Sequence, residues 1–512
     1  MKSRRLRIAT YALATTILLS LATACATGGG FDGLSLRRLG GEDTIGGTAV
    51  VLAVSFEEPG RRLERLAAVA TAYLDADRGD DARILLDFLR DHETEDVEAH
   101  ALADTLATVG RGYARLGDAE AAAAVLDRAR RAASRIAAES SRVAVLARIV
   151  DAAFLPTPTL TETLQATIQE GYIIQDFALR VDFLLDLLER YGGADVLGNV
   201  NALIQQALPA ASSIADPWER ALAFARIARA QRTPDGAVTD AAAETLRRGL
   251  NAVEGDAEIA SGTQALAARQ LVSVLADLNR RPDALGLVDE IPLGHLRSFS
   301  YVDLARSYFS DGIRTVGFLM LTRATRSASL ATTPARRAEG YLAIARAYHE
   351  IDEESLADFQ LEQARTNAVA AESASEKVQM LEEIVALYLE HGRIEVMDEI
   401  VEELPGGLVV ARLRARVSEM LLERGRREEG ASHFREALAT LRAASEAEPG
   451  FAVRMCRIAA RLAEIDLAVS IAASIPDRGT QIDALGHVIR WLPLGHRLSP
   501  ATQETLTEIR GR

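Results

Sequence analysis

Lysine, cysteine and aromatic residues are scarce in this chain of 512 residues. Lysine occurs only at Lys2 and Lys377, so Schiff-base and amine chemistry have almost no candidate nucleophile. Cysteine occurs only at Cys25 and Cys456, too few for a disulfide framework. Aromatics make up 5% of the residues, and Trp218 and Trp491 are the only tryptophans, which argues against the aromatic platforms of a sugar site. No GxGxxG or GxxxxGK pattern offers a phosphate cradle, and no GxSxG elbow presents a serine nucleophile. Eight histidines are scattered, none in HExxH or at ligand spacing to a cysteine, so no metal site and no cofactor are expected. His92 and His100 flank the acidic stretch HETEDVEAH but stand too far apart on a helix to share an ion. The net charge of -15 repels phosphate backbones, and nucleic-acid binding is not expected. No enzyme class finds its residues here.

What the chain has is alanine, leucine and arginine. Its hydrophobic content is 48%, and Ala and Leu supply much of it. These residues cost little in a helix, whereas strands prefer β-branched and aromatic side chains. Charged residues, at 26%, are balanced by enough apolar surface to form a core.

The first residues read as an address. A basic segment, Lys2 to Arg7, precedes an apolar run from Ile8 to about Leu21 and small residues up to Cys25. The run Leu21-Ala22-Thr23-Ala24-Cys25 resembles the lipobox of bacterial lipoprotein signals. That resemblance implies a signal peptide over 1–24, lipid on Cys25, export, and an anchor in the outer membrane facing the periplasm. Residues 25–58 are Gly-rich at first and read as a flexible tether. Within them TAVVLAVSFEEPG is β-branched enough for a short strand and could equally be a helix leading into the body. Cys456 lies on an apolar helical pattern and reads as a buried structural thiol.

From residue 59 to 512 the chain repeats itself. Tyr73 and Tyr113 are 40 residues apart, as are Tyr308, Tyr348 and Tyr388 in turn. Four residues after each comes a turn former: Asp77, Gly117, Gly312, Asp352 and Gly392. Leucine replaces the tyrosine at Leu188, Leu275, Leu421 and Leu462, ahead of Gly192, Asn279, Gly425 and Asp466. A small residue, a large apolar residue and an alanine then recur 9, 13 and 16 places after the marker. They are Ala122, Leu126 and Ala129 in one unit, Gly317, Leu321 and Ala324 in a second, and Ala357, Leu361 and Ala364 in a third. A fourth set is Gly430, Phe434 and Ala437. The spacing gives about twelve units of two helices each, stacked because a lone hairpin cannot bury its apolar face. A break is expected near 210–216, at Pro217, and PLGHLRS (292–298) and PLGHRLS (493–499) read as one inter-repeat turn used twice.

This pattern resembles the tetratricopeptide repeat, with units nearer 40 residues than 34. The resemblance implies an all-α right-handed solenoid of about twelve hairpins whose first helices line a groove for protein or peptide partners. Positions two before and one after the marker then face that groove. They include Arg111, Arg229, Arg306 and Arg346, with Phe309, His349 and Leu389; Arg412 and Arg416 continue the line. Guanidinium would pair there with carboxylates. The blander reading is that these arginines are solubility residues paired with a nearby Glu on their own helix. The function expected is a non-enzymatic, lipid-anchored scaffold of the bacterial envelope that holds protein partners. The alternative is an accessory lipoprotein that captures a small molecule or lipid for a transporter.

Overall fold

A computed structural model describes residues 44–91, 97–153, 158–191, 200–233, 237–253, 259–391, 393, 396, 399–400, 407–443, 448–493 and 496–511. Among them are 24 bounded α-helices and no strand, arranged as antiparallel hairpins with the tetratricopeptide-like pattern. Helix Pro59–Asp75 pairs with Gly79–Asp91, Ala99–Arg115 with Ala119–Ala133, and Gly294–Ser310 with Arg314–Ser329. Pro334–His349 pairs with Glu354–Val369, and Leu408–Glu423 with Arg427–Ala443. No described helix is long and apolar enough to cross a membrane.

The marker residues work as the spacing implies. Tyr73, Tyr113, Tyr348, Tyr388, Leu275 and Leu421 are all buried. Each closes its first helix with the same hydrogen bond: the amide five residues on donates to the marker carbonyl, at 2.8–3.0 Å. That six-residue closure needs a left-handed residue, and φ is +57° at Asp77, +75° at Gly117 and Gly312, +59° at Asn279, +60° at Asp352 and +76° at Gly425. Gly392 lies outside the described residues. In the unit assigned to Leu462 and Asp466 the register differs. The left-handed residue is Ala463, and the Glu464 amide donates to Ala459, which is the buried marker. Alanine fills the marker position there in place of a large apolar residue.

Small residues after the turn let the two helices touch. A Cβ on Gly317 would sit 2.5 Å from the Phe309 ring, so glycine is what allows that ring to lie against the second helix. Ala122 and Ala357 hold the same position and are fully buried.

The described chain forms two compact units. One takes Met1–Ile136, Arg148–Leu164 and Glu448–Arg512; the other takes Ala137–Ala147 and Gln165–Ala447. The stretch 210–216 lies inside the second, as the last turn of helix Val200–Ser212 and the link to Pro217–Ala230, and these two helices pack on each other.

In the first unit the earliest and latest described helices meet. Helix Arg478–Trp491 packs on Pro59–Asp75, as one first helix packs on the next. Arg65 Nη1 donates to both oxygens of Asp483, at 2.9 and 3.1 Å, Arg490 reaches Asp75, and Arg478 donates to Ser55 Oγ at 3.1 Å. Part of the expected tether belongs to this joint. Ile45–Val54 is a helix with seven of its ten residues buried, packed on Pro59–Asp75, Arg478–Trp491 and Pro500–Gly511. The apolar run through Val50, Leu52 and Ala53 finds three helices to bury against, so it forms neither a free tether nor a strand.

The two PLGH copies differ in use. His295 is buried in the first turn of a first helix, Gly294–Ser310, whereas His496 is exposed between helices Arg478–Trp491 and Pro500–Gly511. Cys456 is fully buried, its thiol donating to the carbonyls of Ala468 and Ala484, and burial pushes it up to about 12.

Candidate functional site

Four of the arginines expected to line a groove, Arg111, Arg229, Arg306 and Arg346, are already engaged, and their partners lie one repeat away. Arg306 grips Glu350 with Nε and Nη2 at 2.7 and 2.6 Å, and Arg346 reaches Glu383 at 3.3 Å. Arg229 bonds Glu189 at 2.5 Å and reaches Asp277 at 3.4 Å, while Arg111 stands 4.0 Å from Asp151. The same habit runs through Arg115 and Asp75, Arg226 and Asp182, Arg314 and Glu353, and Arg393 and Asp358, at 2.6–2.9 Å. These pairs span 35 to 48 residues, about one repeat. They form a ladder that ties neighbouring units, a role neither the groove reading nor the same-helix reading contained.

The remaining candidates divide. Phe309 is half-buried and packs edge-on against Phe318 of its own hairpin, ring centres 5.4 Å apart. Leu389 is fully buried, so it cannot face a partner. The place one after the marker is half-buried in two units and core in another. His349 stacks on His391 of the next unit, rings 3.5 Å apart and nearly parallel. Burial, with His391 beside it, holds its imidazole below the usual range. Arg416 stands 3.6 Å from Glu419 on its own helix, and Arg412 is half-buried. Cys25 and the leader 1–24 lie outside the described residues.

Two features of the second unit were not expected. One is an open cavity of about 620 Å³ beside Arg306, bordered by the ends of helices Gly262–Asp277 and Gly294–Ser310 and by Arg232, Ala237 and Val238. Asp277, Asp303, Arg281, Ser307 and Asp311 line it. Arg281 is itself buried, donates to Ser307 Oγ at 2.8 Å, the Ser307 carbonyl at 2.6 Å and Asp311 at 2.6 Å, and lies over the Tyr308 ring. A charge at position -2 of one unit and an acid at +2 of the next, as in Arg229 with Asp277 and Arg306 with Glu350, is the sequence signal that leads here. Among the described residues no group of three or more His, Cys, Asp or Glu is placed to hold a metal ion.

The other is an apolar stripe on the second helices. Leu319 is 49% exposed and Phe359, forty residues later at the equivalent place, 57%. Leu330, Leu356 and Val369 are exposed on the same two helices or at their ends. Half of the large exposed apolar residues of the described chain fall between Ile313 and Val369.

No protein-family model and no curated protein matches the chain. Among solved structures it is similar to Ton1535 from Thermococcus onnurineus NA1, at 13% identity and a TM-score of 0.24 over 68% of this chain and 96% of that one. It is similar to yeast Tom70, at 13% identity and 0.21 over 83% and 95%. It is also similar to a monomeric mutant of IFIT1 determined with Gppp-AAAA, at 11% identity and 0.25 over 79% and 98%. The assignment to helical hairpins rests on the helix pairing and turn closures of this chain itself.

Proposed function

We propose that the chain is a non-enzymatic scaffold, held at the bacterial envelope by lipid on Cys25, that binds protein partners through its helical-hairpin array. The observation that carries this reading is the exposed stripe of Leu319, Leu356 and Phe359 on successive second helices. Covering exposed apolar surface in a contact yields about 25 cal/mol per Å². The ladder supports the same reading indirectly, because Arg306 and Arg346 are structural links and the contact surface belongs elsewhere. Two cavities, about 620 and 460 Å³, are lined largely by charged and polar side chains, which suits them poorly to capture of a lipid. Nucleic acid is an unsuitable partner for an acidic body.

Crosslinking in intact cells, with partners identified by mass, tests the scaffold. Leu319→Glu with Phe359→Glu should abolish the main crosslinked species while leaving the melting temperature within a few degrees, because both side chains are exposed. An unchanged crosslinking pattern sinks the outer-face reading. The anchor is tested apart from this by labelling with a radioactive fatty acid, since Cys25→Ala protein that still takes up label has another attachment.

A further inference from the structure

Helices Arg314–Ser329 and Glu354–Val369 are second helices of successive hairpins, so they run in the same direction, and both pack on Pro334–His349. Their charges are opposite. Arg314–Ser329 carries Arg314, Arg323 and Arg326, all exposed, and no carboxylate. Glu354–Val369 carries Glu354, Asp358 and Glu362, and the side chain of its one cation, Arg365, is only 16% exposed. Among the described residues Arg323, Arg326 and Glu354 are in no ion pair, so these charges are not spent within the chain. Beside them lie the apolar residues of the stripe, with Leu319 and Phe359 at equivalent places and Leu330 and Val369 at the two C-terminal ends. A basic helix and an acidic helix thus stand in neighbouring repeats, each with an exposed apolar side chain at the same height.

We infer that the stripe is covered by a second copy of this chain, related to the first by a two-fold axis parallel to the two helices. Such an axis lays each helix over the other helix of the second copy, in the same direction. Position 314 then meets position 354, and so on along both helices, because they start forty residues apart. Leu319 meets Phe359, Arg314 meets Glu354, Leu330 lies beside Val369, and Arg323 lies beside Glu362. Symmetry makes each contact twice. An axis across the helices would instead set the three arginines against their own copies, which like-charge repulsion opposes. The pairing rests on the partner-binding reading and names the occupant of the stripe.

Cysteine bridging between purified full chains tests it, because Cys456 is buried and leaves the background low. Thr315 and Ser355 are exposed, one turn before Leu319 and Phe359. A disulfide forms only where two Cβ atoms come within about 4.5 Å, so the readout is positional. Thr315→Cys and Ser355→Cys proteins, mixed under mild oxidation, should bridge at least about tenfold faster than either protein alone. Sedimentation over a concentration series reads the charges. Arg314→Glu with Arg323→Glu should weaken pairing at least about tenfold, and so should Glu354→Arg with Glu362→Arg. Mixing those two reversed proteins should restore it, since each reversed helix then meets its complement. Thr315→Cys protein bridging to itself as fast as the mixture overturns the two-fold, as do reversed proteins that pair like the native chain. If the native chain sediments as a monomer at every concentration while Leu319→Glu with Phe359→Glu still abolishes crosslinking in cells, another protein covers the stripe. The pairing then falls and the scaffold reading stands. If the purified chain bridges and pairs as expected while crosslinking in cells is unchanged, the pairing stands and the scaffold reading falls.

Discussion

Two steps of the array in the first unit are built from the same parts and differ in how the chain joins them. In one, Pro59–Asp75 packs on Ala99–Arg115, the next first helix along the chain. In the other, Arg478–Trp491 packs on Pro59–Asp75 from the far end of the sequence. Asp75 serves both, taking Arg115 on Oδ1 and Arg490 on Oδ2. The partners are 40 residues apart in the first step and 415 in the second. For a flexible chain that difference in loop length costs about 2 kcal/mol of closure entropy. The joint of Arg478–Trp491 with Pro59–Asp75 therefore needs more than an ordinary inter-repeat face, and the helix Ile45–Val54 supplies it by packing against both sides. The lesson is that a repeat interface is indifferent to which residues the chain has placed beside it, while its stability is not.

The largest way to break the comparison is to displace that helix. A Cβ on Gly46 would lie 1.7 Å from Tyr73 Oη, and Tyr73 is fully buried and cannot swing aside. Gly46→Val should cost about 1–3 kcal/mol, as overpacking does, and lower the melting temperature. Hydrogen exchange should show the loss first in 478–491, with 99–115 protected longer. Equal loss of protection in both steps would mean that the joint is no weaker than its neighbours.

Acid should act on the same joint. Burial, with Arg457 and Arg490 adding to it, lowers His487 to about 4, and His487 lies on the helix that makes the joint. Its unfolded value is near 6.5, so below that pH the unfolded chain gains a proton that the folded chain refuses. Stability is thus complete above about 6.5 and declines as the pH falls towards 4. His295 behaves alike, lowered to about 4 by burial with Arg336 adding to it, but it lies in the other unit. Melting followed from pH 7 to 4 should fall for the native protein, and His487→Gln should flatten part of that fall. A variant as acid-sensitive as the native chain would mean that His487 does not carry the effect.

Much of the fold was legible because its signals are local. A left-handed residue four places after a buried marker, and a small residue nine places after it, recur every forty residues and specify hairpins without reference to the rest of the chain. The unit at Ala459 escaped because alanine can fill the marker position. The candidate site was legible only in part, and for a physical reason. Arg306 and Arg346 were found by offset, but their partners Glu350 and Glu383 sit a whole repeat away, where no same-helix spacing points. Leu389 misled because a helix position that is half-buried at His349 is core at its counterpart. Contacts such as Arg65 with Asp483, 418 residues apart, leave no trace in a window of any useful length.

The smallest effects separate the two steps most sharply. Asp483→Asn removes the paired bond to Arg65 and touches only the joint of Arg478–Trp491 with Pro59–Asp75. Asp75→Asn removes a partner from Arg115 and Arg490 together, and so weakens both steps. Exposed ion pairs contribute about 0.2–1 kcal/mol each, less in salt. Chemical denaturation should therefore place Asp483→Asn within about 1 kcal/mol of the native protein, and Asp75→Asn somewhat lower. Raising the salt concentration should bring all three together, because screening removes the difference at its source. If the joint is held chiefly by the burial of Ile45–Val54, Asp483→Asn will match the native chain even in low salt. The ladder would then set which helices meet, while the apolar helix decides how firmly they stay together.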